Sequence, residues 1–113
     1  MEETETKRKF LEIVKEFGLQ HKSVNSYEYT LPNAKPTDFL IFYNEDKDII
    51  YCAKKLRSDY KDYINNYCDW TFGFTGIDYY KTNRARQRVI KILKQYKQHL
   101  NKIKKLEMEK DFA

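Results

Sequence analysis

From Lys81 to Lys105 the chain carries ten basic side chains and no acidic one. Residues 1–80 hold 11 basic and 14 acidic side chains, and residues 106–113 hold one basic and three acidic. The overall charge of +5 is therefore a segment of +10 between flanks of −3 and −2. Cations gathered in this way raise a local positive potential that attracts phosphate backbones, anionic lipid or an acidic protein. An ordinary solvated helix mixes signs and gains i,i+4 ion pairs. This segment forgoes them, which favours a contact surface. Arg84, Arg86, Arg88, Lys91, Lys94 and Lys97 are the residues expected to carry the electrostatic contact. Tyr79 and Tyr80, just ahead of them, are expected to add stacking or rim contacts, because a tyrosine is large, stiff and amphipathic and bases stack on rings. The competing reading is a solubilising face, since lysine outnumbers arginine 17 to 5 across the chain.

Other chemistry finds less support. His21 and His99 lie far apart, in a loop and a helix, without a cysteine or carboxylate at metal-ligand spacing. Three glycines, at 18, 73 and 76, cannot build a glycine-rich phosphate loop. Pro36-Thr37-Asp38 followed by Glu45-Asp46-Lys47 has the outline of the acid-x-lysine pattern of metal-dependent nucleases. The spacing is too short, and Glu45 and Lys47 fall in a hairpin turn, which holds a metal less rigidly than adjacent strands do. Asp59, Asp62 and Asp69 read as solvated surface. Cys52 and Cys68 make no Cys-x-x-Cys pair and read as buried free thiols. The expectation is a protein that is not an enzyme and uses no cofactor and no metal.

The elements that must position these residues follow from periodicity. Residues 4–17 read as an amphipathic helix with Phe10, Val14 and Phe17 at i, i+4, i+7, stopped by Gly18. Val24–Leu31 reads as a strand with Tyr27, Tyr29 and Leu31 on one face, followed by a loop at Pro32, Asn33 and Pro36. Asp38–Tyr43 and Asp48–Lys54 read as two strands of a hairpin around the turn Asn44-Glu45-Asp46-Lys47. A short helix is expected over about 58–66, capped by Ser58, with Leu56, Tyr60, Tyr63, Ile64 and Tyr67 at helical spacing. Residues 67–74 alternate as a strand, with a turn at Gly76, and Phe39, Phe42, Trp70, Phe72 and Phe74 are assigned to the core.

From about Tyr79 to Met108 the pattern is one long helix. Ala85, Val89, Ile92, Leu93, Tyr96, Leu100 and Ile103 share a face, and Arg84, Arg88, Lys91, Lys94, Lys102 and Lys105 lie opposite it. Thirty residues at ~1.5 Å each span ~45 Å, against ~23 Å for a seven-residue strand. Part of the helix must therefore project, kink or pack on a partner. Val89, Leu93, Tyr96, Leu100 and Ile103 step by 4, 3, 4, 3, which permits a homodimer through this helix, although covering the sheet is the favoured use of the stripe.

The fold class expected is α+β: a single domain, 1–113, with a small antiparallel sheet of about four strands, order α-β-β-β-α-β-α. Helices pack on one face, and the long basic helix comes last. With 41% hydrophobic residues the chain can bury a core without staples. No apolar run reaches the ~20 residues of a membrane span, and the polar N-terminus has no signal-peptide stretch, so a cytoplasmic location is expected.

The order α-β-β-β…α resembles the double-stranded RNA-binding domain. Thr82-Asn83-Arg84-Ala85-Arg86 does not match the basic motif of that family's last helix, and the extra helix and strand also depart from it. In size, composition and lack of motifs the chain resembles the small accessory proteins of phages and other mobile elements, some of which inhibit host defence complexes such as CRISPR effectors. That resemblance implies a stoichiometric, anti-CRISPR-like inhibitor touching a nucleoprotein surface. The functional expectation is thus a binding protein whose basic helix docks on nucleic acid or on a nucleic-acid-binding complex, and not on a membrane. A DNA mimic is disfavoured, because the surface has the wrong sign. The alternative is a structural protein that assembles through its last helix.

Overall fold

The structure, a computed structural model, describes residues 3–22, 27–58, 70–80 and 84–111. The first helix, α1 (Glu5–Glu16), starts where the Thr4 hydroxyl accepts the Lys7 backbone N–H at 3.1 Å. Glu5 in its first turn complements the helix dipole. It ends in a Schellman turn: Leu19 N–H donates to the Val14 carbonyl at 3.1 Å and Gly18 N–H to that of Lys15 at 3.3 Å. Gly18 takes φ +56, a left-handed conformation that costs glycine little. The buried face of α1 presents Phe10 and Ile13.

Five strands form one sheet in sequential order, every pair antiparallel: β1 (Gln20–His21), β2 (Glu28–Thr30), β3 (Ile41–Asn44), β4 (Ile49–Ser58) and β5 (Phe72–Tyr80). The expectation of about four strands becomes five because Gln20 and His21 pair with Thr30 and Tyr29. The β3–β4 hairpin turns at 45–48, where Lys47 N–H donates to Asn44 Oδ1 and Asp48 adopts φ +52. Asp48 then joins two elements. Its Oδ1 accepts from the Tyr43 hydroxyl, and from the helix-capping Thr4 hydroxyl at 2.6 Å. Burial first, and then that bond to Asp48, raises the Tyr43 hydroxyl above its ordinary pKa.

The strand limits differ from the sequence reading for reasons of pairing. β3 begins at Ile41, because Asp38 is drawn away to accept the Phe74 N–H at 2.9 Å. β4 does not stop at Lys54; it pairs with β5 as far as Ser58 opposite Phe72. Leu56 therefore packs on the core from a strand and not from a helix. Of the expected helix over about 58–66, Ser58 is the last strand residue and the rest lies outside the described residues. The strand expected over 67–74 starts at Phe72 and runs on to Tyr80, while 67–69 lie outside the described residues. Gly76 makes no turn. It sits inside β5 at φ +71 against the Lys54 side chain, and the register on either side is unchanged.

Both helices cover one face. The second, α2 (Arg84–Asp111), starts five residues later than the expected Tyr79, because β5 holds that stretch. Ala85, Val89, Ile92 and His99 are buried, while Leu93 and Tyr96 pack partly against the same core. Positions 85, 89, 92, 96 and 99 step by 4, 3, 4, 3, so the stripe passes through His99 and not Leu100, which is 42% exposed. Across the core Phe10 contacts Tyr27, Tyr29 and Tyr43, with ring centroids 6.2, 5.7 and 5.5 Å apart, so these tyrosines serve packing. Phe72 is fully buried, but Phe39, Phe42, Trp70 and Phe74 are only half-buried, and Phe42 stacks on Tyr51 on the face away from the helices.

At ~1.5 Å per residue α2 is ~42 Å long. The molecule measures 58 × 24 × 22 Å, and no described residue after His99 is buried, so the end of α2 projects past the sheet as its length required. Among the described residues no helix is long and apolar enough to cross a membrane.

Candidate functional site

The first two turns of α2 gather four donors on one face. Arg84, Gln87, Arg88 and Lys91 stand at i, i+3, i+4 and i+7 and line a depression of about 380 Å³. Helical spacing places these side chains within an arc of about 100° at ~100° per residue. They flank the buried stripe on the side of β4 and β5. Arg84, Gln87 and Lys91 are exposed, whereas Arg88 is held. Arg88 Nη1 donates to the Lys54 carbonyl at 2.9 Å, and its Nη2 lies 3.9 Å from Asp78 Oδ2. Asp78 also lies 3.7 Å from the Lys54 ammonium, so one carboxylate of β5 anchors two cations beside the depression. One turn further on, Gln95 Oε1 accepts the Leu56 N–H at 2.8 Å. These bonds to the β4 backbone set the rotation of α2 and hence the direction in which Arg84 and Lys91 face.

The other predicted cations point elsewhere. Arg86 lies on the opposite flank of the stripe, where its Nε donates to Glu16 Oε1 at 2.9 Å and its guanidinium stands 5.6 Å over the Phe17 ring. That bond holds the Glu16 carboxyl below its ordinary pKa and raises Arg86. Arg86 thus ties α2 to the end of α1. Lys97 falls on the same flank as Arg86, and Lys94 faces away from the sheet; both are exposed. Tyr79 and Tyr80 close β5 by their backbones, and their side chains lie outside the described residues. Tyr60, Tyr63, Tyr67, Cys68, Asp59, Asp62 and Asp69 lie outside them altogether.

The six predicted cations therefore divide. Arg84, Arg88 and Lys91 converge, Lys94 and Lys97 stand apart, and Arg86 is engaged by Glu16. Gln87 is the residue that charge counting overlooked; its i+3 relation to Arg84 was the available signal. Arg84 and Lys91 lie ~10.5 Å apart along the axis. A nucleic-acid strand presents a phosphate about every 3.4 Å of its axis, so this length meets about three. Guanidinium forks suit phosphate oxygens bidentately, and the amide of Gln87 adds a neutral donor.

The carboxylates of the nuclease-like outline do not meet. Asp38 bonds the β5 backbone through Phe74, while Glu45 and Asp46 lie in the β3–β4 turn. Among the described residues no three His, Cys, Asp or Glu side chains are grouped to hold a metal ion. Cys52 is a free thiol beneath α2. The sequence matches no protein-family model, and no similarity to a curated protein or to a solved structure is found.

Proposed function

We propose that the protein is a non-catalytic binding protein of the cytoplasm that docks on nucleic acid, or on a nucleic-acid-binding complex, through the cationic face at the start of α2. The observation that carries this reading is the convergence of Arg84, Gln87, Arg88 and Lys91 on one depression. Within it Asp78 pairs with Arg88, while the outer cations Arg84 and Lys91 are exposed to an anionic partner. Rigid placement strengthens the reading, since α2 is fastened to β4 by Arg88 and Gln95 and to α1 by Arg86. A preorganised row of donors binds phosphate with little loss of side-chain entropy. One concrete form is a stoichiometric inhibitor of a host defence nuclease such as a CRISPR effector, carried by a phage or mobile element. The small size and the resemblance to such accessory proteins support that form.

The test is fluorescence anisotropy with labelled single-stranded DNA, duplex DNA and RNA between about 50 and 200 mM salt. An Arg84→Glu/Lys91→Glu variant is compared with Lys47→Glu, which places a charge reversal on the distant β3–β4 turn. Both positions in the double variant are exposed, so the fold is retained. Affinity is expected to fall log-linearly with salt. In the double variant the slope on duplex should shrink by about 0.9 for each phosphate that is no longer neutralised, with no change in Lys47→Glu. Equal weakening in the two variants, or no binding at about 50 mM salt, would overturn the reading.

A further inference from the structure

Three large apolar side chains among the described residues are exposed: Ile77 at 56%, Met108 at 55% and Leu100 at 42%. They belong to two surfaces of complementary character. Ile77 lies on the sheet face away from the helices, where Phe39, Phe42 and Tyr51 join it, with Glu28, in a depression of about 290 Å³. An adjoining depression of about 150 Å³ shares Phe39 and Ile77 and includes Asp38. Among the described residues the charged side chains lining this apolar surface are Glu28 and Asp38, and no basic one lines it. Leu100 and Met108 lie on the projecting end of α2. Lys97, Leu100, Lys104, Glu107 and Met108 stand at i, i+3, i+7, i+10 and i+11, all exposed and on one side of the helix. One surface is an apolar floor rimmed by carboxylates, and the other is a pair of apolar knobs among two lysines and one glutamate, Glu107.

We propose that a second copy of this chain docks on the sheet: the projecting end of α2 of each protomer lies across the helix-free face of the other. Leu100 and Met108 then meet Phe39, Phe42, Tyr51 and Ile77, and Lys97 and Lys104 meet Glu28 and Asp38. Each copy carries both surfaces, so two reciprocal contacts close a two-fold dimer and leave no open end. The contact removes from water the apolar groups that a lone protomer leaves exposed. It leaves the Arg84–Lys91 face outside the interface and stands independently of the nucleic-acid reading.

Sedimentation equilibrium of the full chain from low to several hundred micromolar tests this, with Ile77→Asp and Leu100→Glu alongside. Wild type is expected to dimerise, and each substitution to raise the dissociation constant at least tenfold. An equimolar mixture of the two variants should recover part of the association, since a mixed dimer keeps one of the two contacts intact. A second pair keeps the test sharp if either substitution unfolds the chain. Glu28→Lys and Lys104→Glu should each weaken the dimer, and the chain carrying both should restore it. A monomeric wild type throughout, or a dimer that survives Ile77→Asp as a helix-only seam would, overturns the proposal.

Discussion

Replacing His99 with alanine is expected to cost more stability than replacing Leu100, although leucine is the more hydrophobic residue. His99 is 3% exposed, shares a 2.9 Å hydrogen bond between its Nδ1 and Ser58 Oγ, and meets the Phe72 ring edge-on at 5.2 Å. Truncation opens a cavity beside Phe72. Phenylalanine-to-alanine changes in cores cost about 3–5 kcal/mol, and the smaller, more polar imidazole is worth about 2 of these. Ser58 is exposed, so water replaces the lost partner of its hydroxyl and the broken bond adds only about 0.5 kcal/mol. The sum is about 2.5 kcal/mol, or a fall in Tm of roughly 10 °C at about 4 °C per kcal/mol for a chain of this size. Leu100 is 42% exposed, and its truncation is expected to cost under about 1 kcal/mol. Thermal unfolding followed by circular dichroism at low micromolar concentration measures both. If Leu100→Ala proves the costlier change, α2 is rotated by about one residue, ~100°, from the setting described. The placement of Arg84, Arg88 and Lys91 would then fail with it.

Two further outcomes follow from the interior and the backbone. Burial pushes the Cys52 thiol up to about 12 from an ordinary 9.0, opposed by the Arg88 charge and aided to a smaller extent by Asp78. In a Cys68→Ser background it should resist iodoacetamide at mildly alkaline pH while folded and react on denaturation. Because the folded-state pKa is the raised one, the contribution of Cys52 to stability is intact below pH 9 and is lost between 9 and about 12. The fall is ~1.4 kcal/mol per pH unit, and Cys52→Ala should flatten it. Gly76→Ala and Gly18→Ala impose similar backbone strain, at φ +71 and +56, worth about 1–2 kcal/mol each. A Cβ at Gly76 would in addition stand 2.7 Å from Lys54 Cδ, whereas nothing lies within 4 Å at Gly18. Denaturant melts should therefore show the larger loss for Gly76→Ala, and equal losses would count against the close approach of β5 to Lys54.

The sequence by itself determined what depends on neighbours in the chain. The apolar period of residues 4–17, the glycine stop at 18, the hairpin around 44–47 and the long basic helix all rest on local spacing and turn chemistry, and each is present. The α+β class with helices on one face followed from the same patterns. The concentration of charge in α2 was equally legible, because a count of side chains needs no geometry.

Only the tertiary structure decided where strands end and which way side chains face. Whether β4 stops at Lys54 or continues to Ser58 depends on β5 lying opposite it. Propensity could not separate Tyr79 and Tyr80 in a strand from the start of a helix, because that choice was made by their partners Tyr51 and Ile50. The rotation of α2 follows from Gln95 and Arg88 reaching the β4 backbone and from Ser58 meeting His99. Hydropathy alone prefers Leu100 for the buried stripe. The hydrogen bond to Ser58 lets a histidine occupy that place instead, turning Leu100 outward and setting the direction in which the shared face of Arg84, Gln87, Arg88 and Lys91 points. Such a choice rests on a polar partner 41 residues away, which no local window of sequence can read.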